Sequence, residues 1–256
     1  MNILILQKDT HKAGAQTALY RICKVLKDQA RIIVICSNEG WLTQSIEKID
    51  IDFVILKFPS SRAFFAKIYK NKEWAKNIAN ILTDKNFIPD VIFGNDYTES
   101  ILLSELHVLY GKAKSIILLR NAYICKKDFD KYQCDRHNHI FAVSQISLEI
   151  FQQYTNKKIE VFSDFLLEEE FHEPKQKPMK FPNKIVLIGA PTKRKGWDIA
   201  FKAFLDLDEL FQNYSLEIDC TGIPNKDEMA LFQPIINKVK NIKINFLEKF
   251  ENLGLE

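Results

Sequence analysis

The sequence has 256 residues with 36 Lys and Arg against 33 Asp and Glu, a formal net charge of +3, which excludes a whole-surface nucleic-acid binder and makes any basic function local. Its 46% hydrophobic content excludes a disordered chain and suffices for the core of one large domain or two small ones. No apolar run approaches a membrane span, the start lacks a charged leader, and five scattered cysteines without a C-x-x-C pair read as reduced thiols, so a cytosolic chain is expected.

Residues 2–7 form a short apolar strand, followed by a loop at 8–14 and an amphipathic helix with Ala18, Leu19, Ile22, Cys23 and Leu26 on one face. Strand, loop and helix in that order open a Rossmann-like half. In the loop, Ala13-Gly14-Ala15-Gln16 places one glycine between strand and helix, which taken alone is an ordinary tight turn. Further strands are predicted at 32–36, 53–56, 91–93, 116–119 and 139–143, each separated by a helical pattern. That alternation predicts a doubly wound, mostly parallel sheet. Ligands of such sheets bind beyond the carboxyl ends of the strands, so Asn95 and Asp96 after the fourth strand, and Arg120 and Asn121 after the fifth, are candidate substrate contacts. Helix capping is an equal use for Asp96 and Asn121.

Between 60 and 82, Arg62, Lys67, Lys70, Lys72 and Lys76 interleave with Phe64, Phe65, Ile68, Tyr69 and Trp74. An interfacial helix near anionic lipid has this pattern, and so does a core-facing helix with a solvated basic face. Residues 125–139 hold Cys125, Cys134, His137 and His139 at a spacing unlike that of zinc fingers, so reduced thiols and surface histidines are expected there. Ser144 reads as a helix N-cap with Ile146, Ile150 and Phe151 turned inward. From 168 to 182 charge and three prolines, Pro174, Pro178 and Pro182, mark a linker.

Residues 184–198 read K-I-V-L-I-G-A-P-T-K-R-K-G-W-D. The apolar run at 185–188 ends at Gly189, a basic loop of Lys193, Arg194 and Lys195 follows, and Gly196-Trp197-Asp198 opens a helix carrying Ala200, Phe201, Phe204 and Leu205. This predicts a buried parallel strand, a short loop and a helix start whose free N–H groups and dipole, beside three cations, suit a phosphate. A solvated basic loop is the alternative. A strand at 215–219, a turn at Thr221-Gly222, a helix through Met229, Phe232, Ile235 and Val239, and a strand at 242–246 follow.

The 184–198 stretch resembles the G-R-x-x-x-x-K-G-x-D opening of the second domain in the group 1 family of retaining, nucleotide-sugar-dependent glycosyltransferases. Lys195 falls on the family's Lys, while Ala190 stands where the family has Arg, so Arg194 or Lys193 would supply the second charge. Ala13 to Gln16 is similar to the family's G-G-A-E turn, with Gly14 kept and Gln16 in place of Glu, and the stretch from Phe141 through Ser144 resembles its i-v-a-v-S-e segment.

The resemblance implies an α/β chain of two Rossmann-like domains, the GT-B fold: an acceptor-side domain at 1–167, a linker at 168–182, and an incomplete nucleotide-sugar-binding domain at 183–256, together about the first two thirds of the family's length. It implies transfer of a sugar from a nucleotide-sugar donor to a cell-surface glycan or lipid-linked acceptor, as in lipopolysaccharide or capsule biosynthesis, with no cofactor, no metal and no nucleic-acid partner. Lys195, Arg194, Gly14 and Gly189 would hold the donor diphosphate, and Asn95, Asp96, Arg120 and Asn121 would lie on the acceptor side. Residues 62–82 would give peripheral contact with the cytoplasmic face of the inner membrane. The family's E-x7-E pair lies beyond this stretch, and Glu160 with Glu168 or Glu248 with Glu256 shares its spacing but not its setting, so no catalytic residue is assigned. An inactive truncated remnant, or one subunit of a split transferase awaiting a complementing subunit, is the alternative. A dinucleotide binder is disfavoured because no G-x-G-x-x-G follows a strand.

Overall fold

The run Asn-Ile-Leu-Ile-Leu-Gln at Asn2–Gln7 is buried along both its odd and its even positions, which requires a central strand covered on two faces. In the structure, a computed structural model that describes residues 1–58, 64–171, 184–213 and 216–247, with the backbone alone at 64–69, it is the third strand of seven. The chain falls into two units, Met1–Leu167 and Glu168–Glu256.

The first unit alternates β1 (Asn2–Gln7), α1 (Gly14–Leu26), β2 (Arg31–Cys36), α2 (Trp41–Glu47), β3 (Asp52–Ile55), α3 (Phe64–Asp84), β4 (Val91–Gly94), α4 (Ser100–Leu109), β5 (Lys114–Leu119), α5 (Lys126–Lys131), β6 (His139–Ala142), α6 (Gln145–Gln152) and β7 (Ile159–Val161). All seven strands are parallel in the order β3-β2-β1-β4-β5-β6-β7. The order reverses between β1 and β4, and that reversal opens a crevice at their carboxyl ends. Leu4 and Leu6 of β1 pack with α3 and α4, whereas Ile3 and Ile5 pack with α1 and α2. Gly94 is the last residue of β4, and a Cβ there would meet Ile117 Cδ1 at 2.8 Å. β7 is a strand that the apolar pattern did not reveal.

In α3, Ala75, Ile78 and Leu82 are buried while Lys70, Lys72 and Lys76 are exposed, and Trp74 lies 6.2 Å from Phe58. This part of the helix faces the core with a solvated basic side. Arg62 and the side chains of Phe64, Phe65, Lys67, Ile68 and Tyr69 lie outside the described residues. Among the described residues no helix is long and apolar enough to cross a membrane. Ser144 caps α6, accepting from the Ser147 N–H at 3.2 Å. Phe151 turns inward as expected, but Ile146 is 69% exposed, because Ser147 and Phe151, one turn apart, are the residues α6 buries.

The second unit holds β8 (Lys184–Leu187), α7 (Trp197–Leu207), β9 (Leu216–Thr221), α8 (Lys226–Ile236) and β10 (Ile242–Leu247), its strands parallel in the order β10-β9-β8. Trp197, Phe201, Ile218, Cys220 and Phe232 form its core. The Asp208 carboxylate accepts the N–H groups of Lys240, Asn241 and Ile242 and so fixes the entry to β10. The expectation of a buried strand at 185–188 fails: Ile185 is 39% and Ile188 66% exposed. Among the described residues β8 pairs with β9 alone, so its other edge is open.

Candidate functional site

At the carboxyl ends of three strands of the first unit, a polar residue at or just past the strand's last position continues an apolar row on one side of the sheet. Ile3 and Ile5 lead to Gln7, Val91 and Phe93 to Asn95, and Ile116 and Leu118 to Arg120. Asn95 is fully buried; its Nδ2 donates to Gln7 Oε1 at 2.5 Å and to the Ala15 carbonyl at 3.1 Å. Arg120 Nε donates to Asn95 Oδ1 at 3.0 Å, and its Nη1 meets Asp164 Oδ1 at 2.7 Å. Gln16 and Gln7 both donate to the Asp9 carbonyl, which pins the loop after β1. The loop's next anchor is Glu99, whose Oε1 accepts the Lys8 N–H at 3.1 Å.

Four atoms around this network, Gln16 Oε1, Asp96 Oδ1, Glu99 Oε2 and Arg120 Nη2, are buried without a hydrogen-bond partner among the described residues. In a native fold such atoms mark a place for water or ligand. Burial, and then the neighbouring Asp96, push the Glu99 carboxyl up to about 8, so it carries its proton at neutral pH. Burial also raises Asp96, against the pull of the Tyr97 and Thr98 amides and the Arg120 guanidinium. Two carboxyls displaced upward at the strand-order reversal are a functional-site signature. Gly14 begins α1 beside this network, and a Cβ there would meet nothing within 4 Å, so its backbone borders open space.

In the second unit the chain leaves β8 through Gly189, whose N–H is held by Thr221 Oγ1 at 3.2 Å while that hydroxyl donates to the Leu187 carbonyl. Lys193–Lys195 form a single 3-10 turn, and Gly196, at φ 76, swings the chain into α7. The left-handed conformation there favours glycine. All three basic side chains are exposed and make no ion pair among the described residues, and Thr192 Oγ1 is buried without a partner. The Lys193 N–H already holds a carboxylate oxygen, Glu228 Oε2, at 3.0 Å. One anionic oxygen of the chain's own, from Glu228, is thus already bound at this turn.

The structure therefore draws Asn95, Asp96, Arg120 and Gly14 to one edge of the first unit, and Gly189, Arg194 and Lys195 to one loop of the second. Asn121 stays apart, exposed, its Oδ1 accepting the Tyr123 N–H at 3.0 Å in a local turn. Gln7, Glu99 and Asp164 join the first network without having been singled out in the sequence. Cys134 and His137 lie in the core, where His137 Nε2 is 2.7 Å from Ser100 Oγ and burial lowers the imidazole to about 3.

No family model and no curated protein matches the chain. Solved structures do. A glycosyltransferase from Rickettsia africae superposes with a TM-score of 0.74 at 18% identity, over 98% of this chain and 69% of that one. The fold is that of the GT-B glycosyltransferases. TarM gives a TM-score of 0.67 at 10% identity, covering 99% of this chain and 77% of its own. Anabaena HepE in complex with UDP and glucose gives 0.62 at 12% identity, covering 98% and 70%. The first unit holds a seven-stranded parallel sheet and the second, among the described residues, a three-stranded parallel one.

Proposed function

We propose that this chain transfers a sugar from a nucleotide-sugar donor, in the manner of a retaining group 1 glycosyltransferase, to a cell-surface glycan or lipid-linked acceptor of the lipopolysaccharide or capsule kind. The observation that carries the reading is the loop at Lys193–Lys195: three cations without an ion pair and a Thr192 hydroxyl without a partner among the described residues, with a helix start in the same place on a GT-B fold. HepE, a neighbour of that fold, is seen with UDP, which has the diphosphate such a loop would suit. Lys195 and Arg194, with the backbone at Gly189, hold the donor diphosphate, and Lys195 neutralises it as it departs. Asn95, Asp96 and Arg120 face the acceptor.

The edge of β8 that stays open among the described residues is what favours a second reading, in which the chain is one subunit of a split transferase or an inactive remnant. Melting temperature against UDP, GDP, ADP and CMP tests the first reading. One nucleotide at about a hundred times its dissociation constant stabilises by about 2.7 kcal/mol, a shift large enough to see. If none of the four moves the transition, the donor reading fails.

A further inference from the structure

Glu228 is the third residue of α8, and the helix is already capped by Asn225, whose Oδ1 accepts the Glu228 N–H at 2.9 Å. A glutamate at this position ordinarily turns back to the N–H of the capping residue. Here its carboxylate instead reaches across 35 residues of sequence to the turn after β8, where Oε2 accepts the Lys193 N–H at 3.0 Å. The residue is half-buried, and among the described residues it makes no ion pair with Lys193, Arg194 or Lys195.

The turn does not need this bond to keep its shape. Thr221 Oγ1 holds the Gly189 N–H at 3.2 Å, and the Gly222 backbone lies so near Pro191 that a Cβ on Gly222 would meet Pro191 Cδ at 3.3 Å. Within the turn the Thr192 carbonyl accepts the Lys195 N–H at 3.0 Å, and the Lys193 carbonyl accepts the Gly196 N–H at 2.9 Å. What the carboxylate adds is charge. It sets one negative oxygen beside three cations, on a backbone N–H of the turn that leads into α7, as a phosphate oxygen would.

We propose that Glu228 is an internal competitor for the anion site of the second unit: its carboxylate holds the Lys193 N–H while the loop is empty, and a diphosphate displaces it on binding. The inference rests on the donor reading and adds a control on the affinity of that site. Displacement leaves the carboxylate well placed, because it belongs to the first turn of α8 and keeps the positive end of that helix dipole when it swings into solvent. A diphosphate carries more than one negative charge to the same three cations, so it prevails over a single carboxylate, but it binds more weakly than it would to a loop without that rival.

The test is calorimetric titration of the full chain with UDP in three forms: wild type, Glu228→Gln and Asp227→Asn. Glutamine keeps the length and an acceptor for the Lys193 N–H while losing the charge. Asp227, exposed on the same turn of α8, loses an equal charge and makes no bond to the Lys193 turn among the described residues. Glu228→Gln is expected to bind UDP about fivefold or more tightly than wild type, and Asp227→Asn to gain less than about twofold. In wild type the Lys193 amide resonance is expected to shift as UDP saturates, because its acceptor changes. UDP bound by wild type but no more tightly by Glu228→Gln than by Asp227→Asn, or with the Lys193 amide unmoved, overturns the proposal and leaves the donor reading standing. UDP bound by neither wild type nor Glu228→Gln overturns both, whereas binding detected in Glu228→Gln alone supports both.

Discussion

Arg120 reaches Asp164 across 44 residues of sequence, Nη1 to Oδ1 at 2.7 Å, and with the same guanidinium holds Asn95. Its side chain is 7% exposed and that of Asp164 44%, so the guanidinium is the buried partner and the carboxylate the solvated one. Arg120→Ala strands Asn95 Oδ1 and is expected to destabilise the first unit by about 2 kcal/mol, whereas Asp164→Asn, which keeps an acceptor at the surface, costs less than about 1 kcal/mol. Arg120→Lys does not rescue, because one ammonium cannot match the guanidinium fork that bonds both residues. Urea unfolding of the three variants checks the order.

Glu99 gives the stability of the first unit a slope with pH. Its ordinary value is 4.5 and burial, with Asp96, lifts it to about 8. Between those values the folded chain keeps a proton that the unfolded chain has released, so stability falls as pH rises through that window. In Glu99→Gln the slope between pH 5 and pH 8 is expected to flatten, with the variant gaining on the wild type at pH 8. Urea midpoints at three pH values in that range decide it, and equal slopes would show that Glu99 is ionised in the fold.

Much of this architecture is legible in the sequence, because apolar runs alternate with helical periods and a buried parallel strand cannot avoid showing as one. The place of Asn95 and Arg120 just after strands at the carboxyl edge is readable from the sequence pattern. Gln7, Glu99 and Asp164 were not, since their partners lie 88, 91 and 44 residues away and nothing local marks them. The exposure of β8 was invisible for the opposite reason. Its composition is that of a covered strand, and only the sheet order shows that the covering element is missing among the described residues. Ile146 misled because its neighbours Ser147 and Phe151, a turn apart, are the ones buried.

Four of the five thiols are sealed. Burial pushes Cys23, Cys36, Cys134 and Cys220 up to about 12, while Cys125 is exposed. A thiolate-selective disulfide reagent should therefore titrate one fast cysteine in the native chain and all five after unfolding. A Cys125→Ser chain that still reacts quickly would mean the core is more open than its packing indicates.

The second unit rests on Phe201, whose ring lies 5.3 Å from Phe232, 5.9 Å from Trp197 and 6.2 Å from Phe246. Phe201→Ala removes the centre of that cluster and is expected to cost about 3–5 kcal/mol, seen as loss of the second unit's thermal transition with the first retained.

The most direct test of the donor reading is calorimetric titration of the full chain with UDP, wild type beside Lys195→Ala. Lys195 is exposed and its loss leaves the fold intact, so any change reports on the loop. Saturable binding that weakens about tenfold or more in the variant is the result expected of a diphosphate held by that side chain. UDP bound equally by both chains, or by neither, would contradict it.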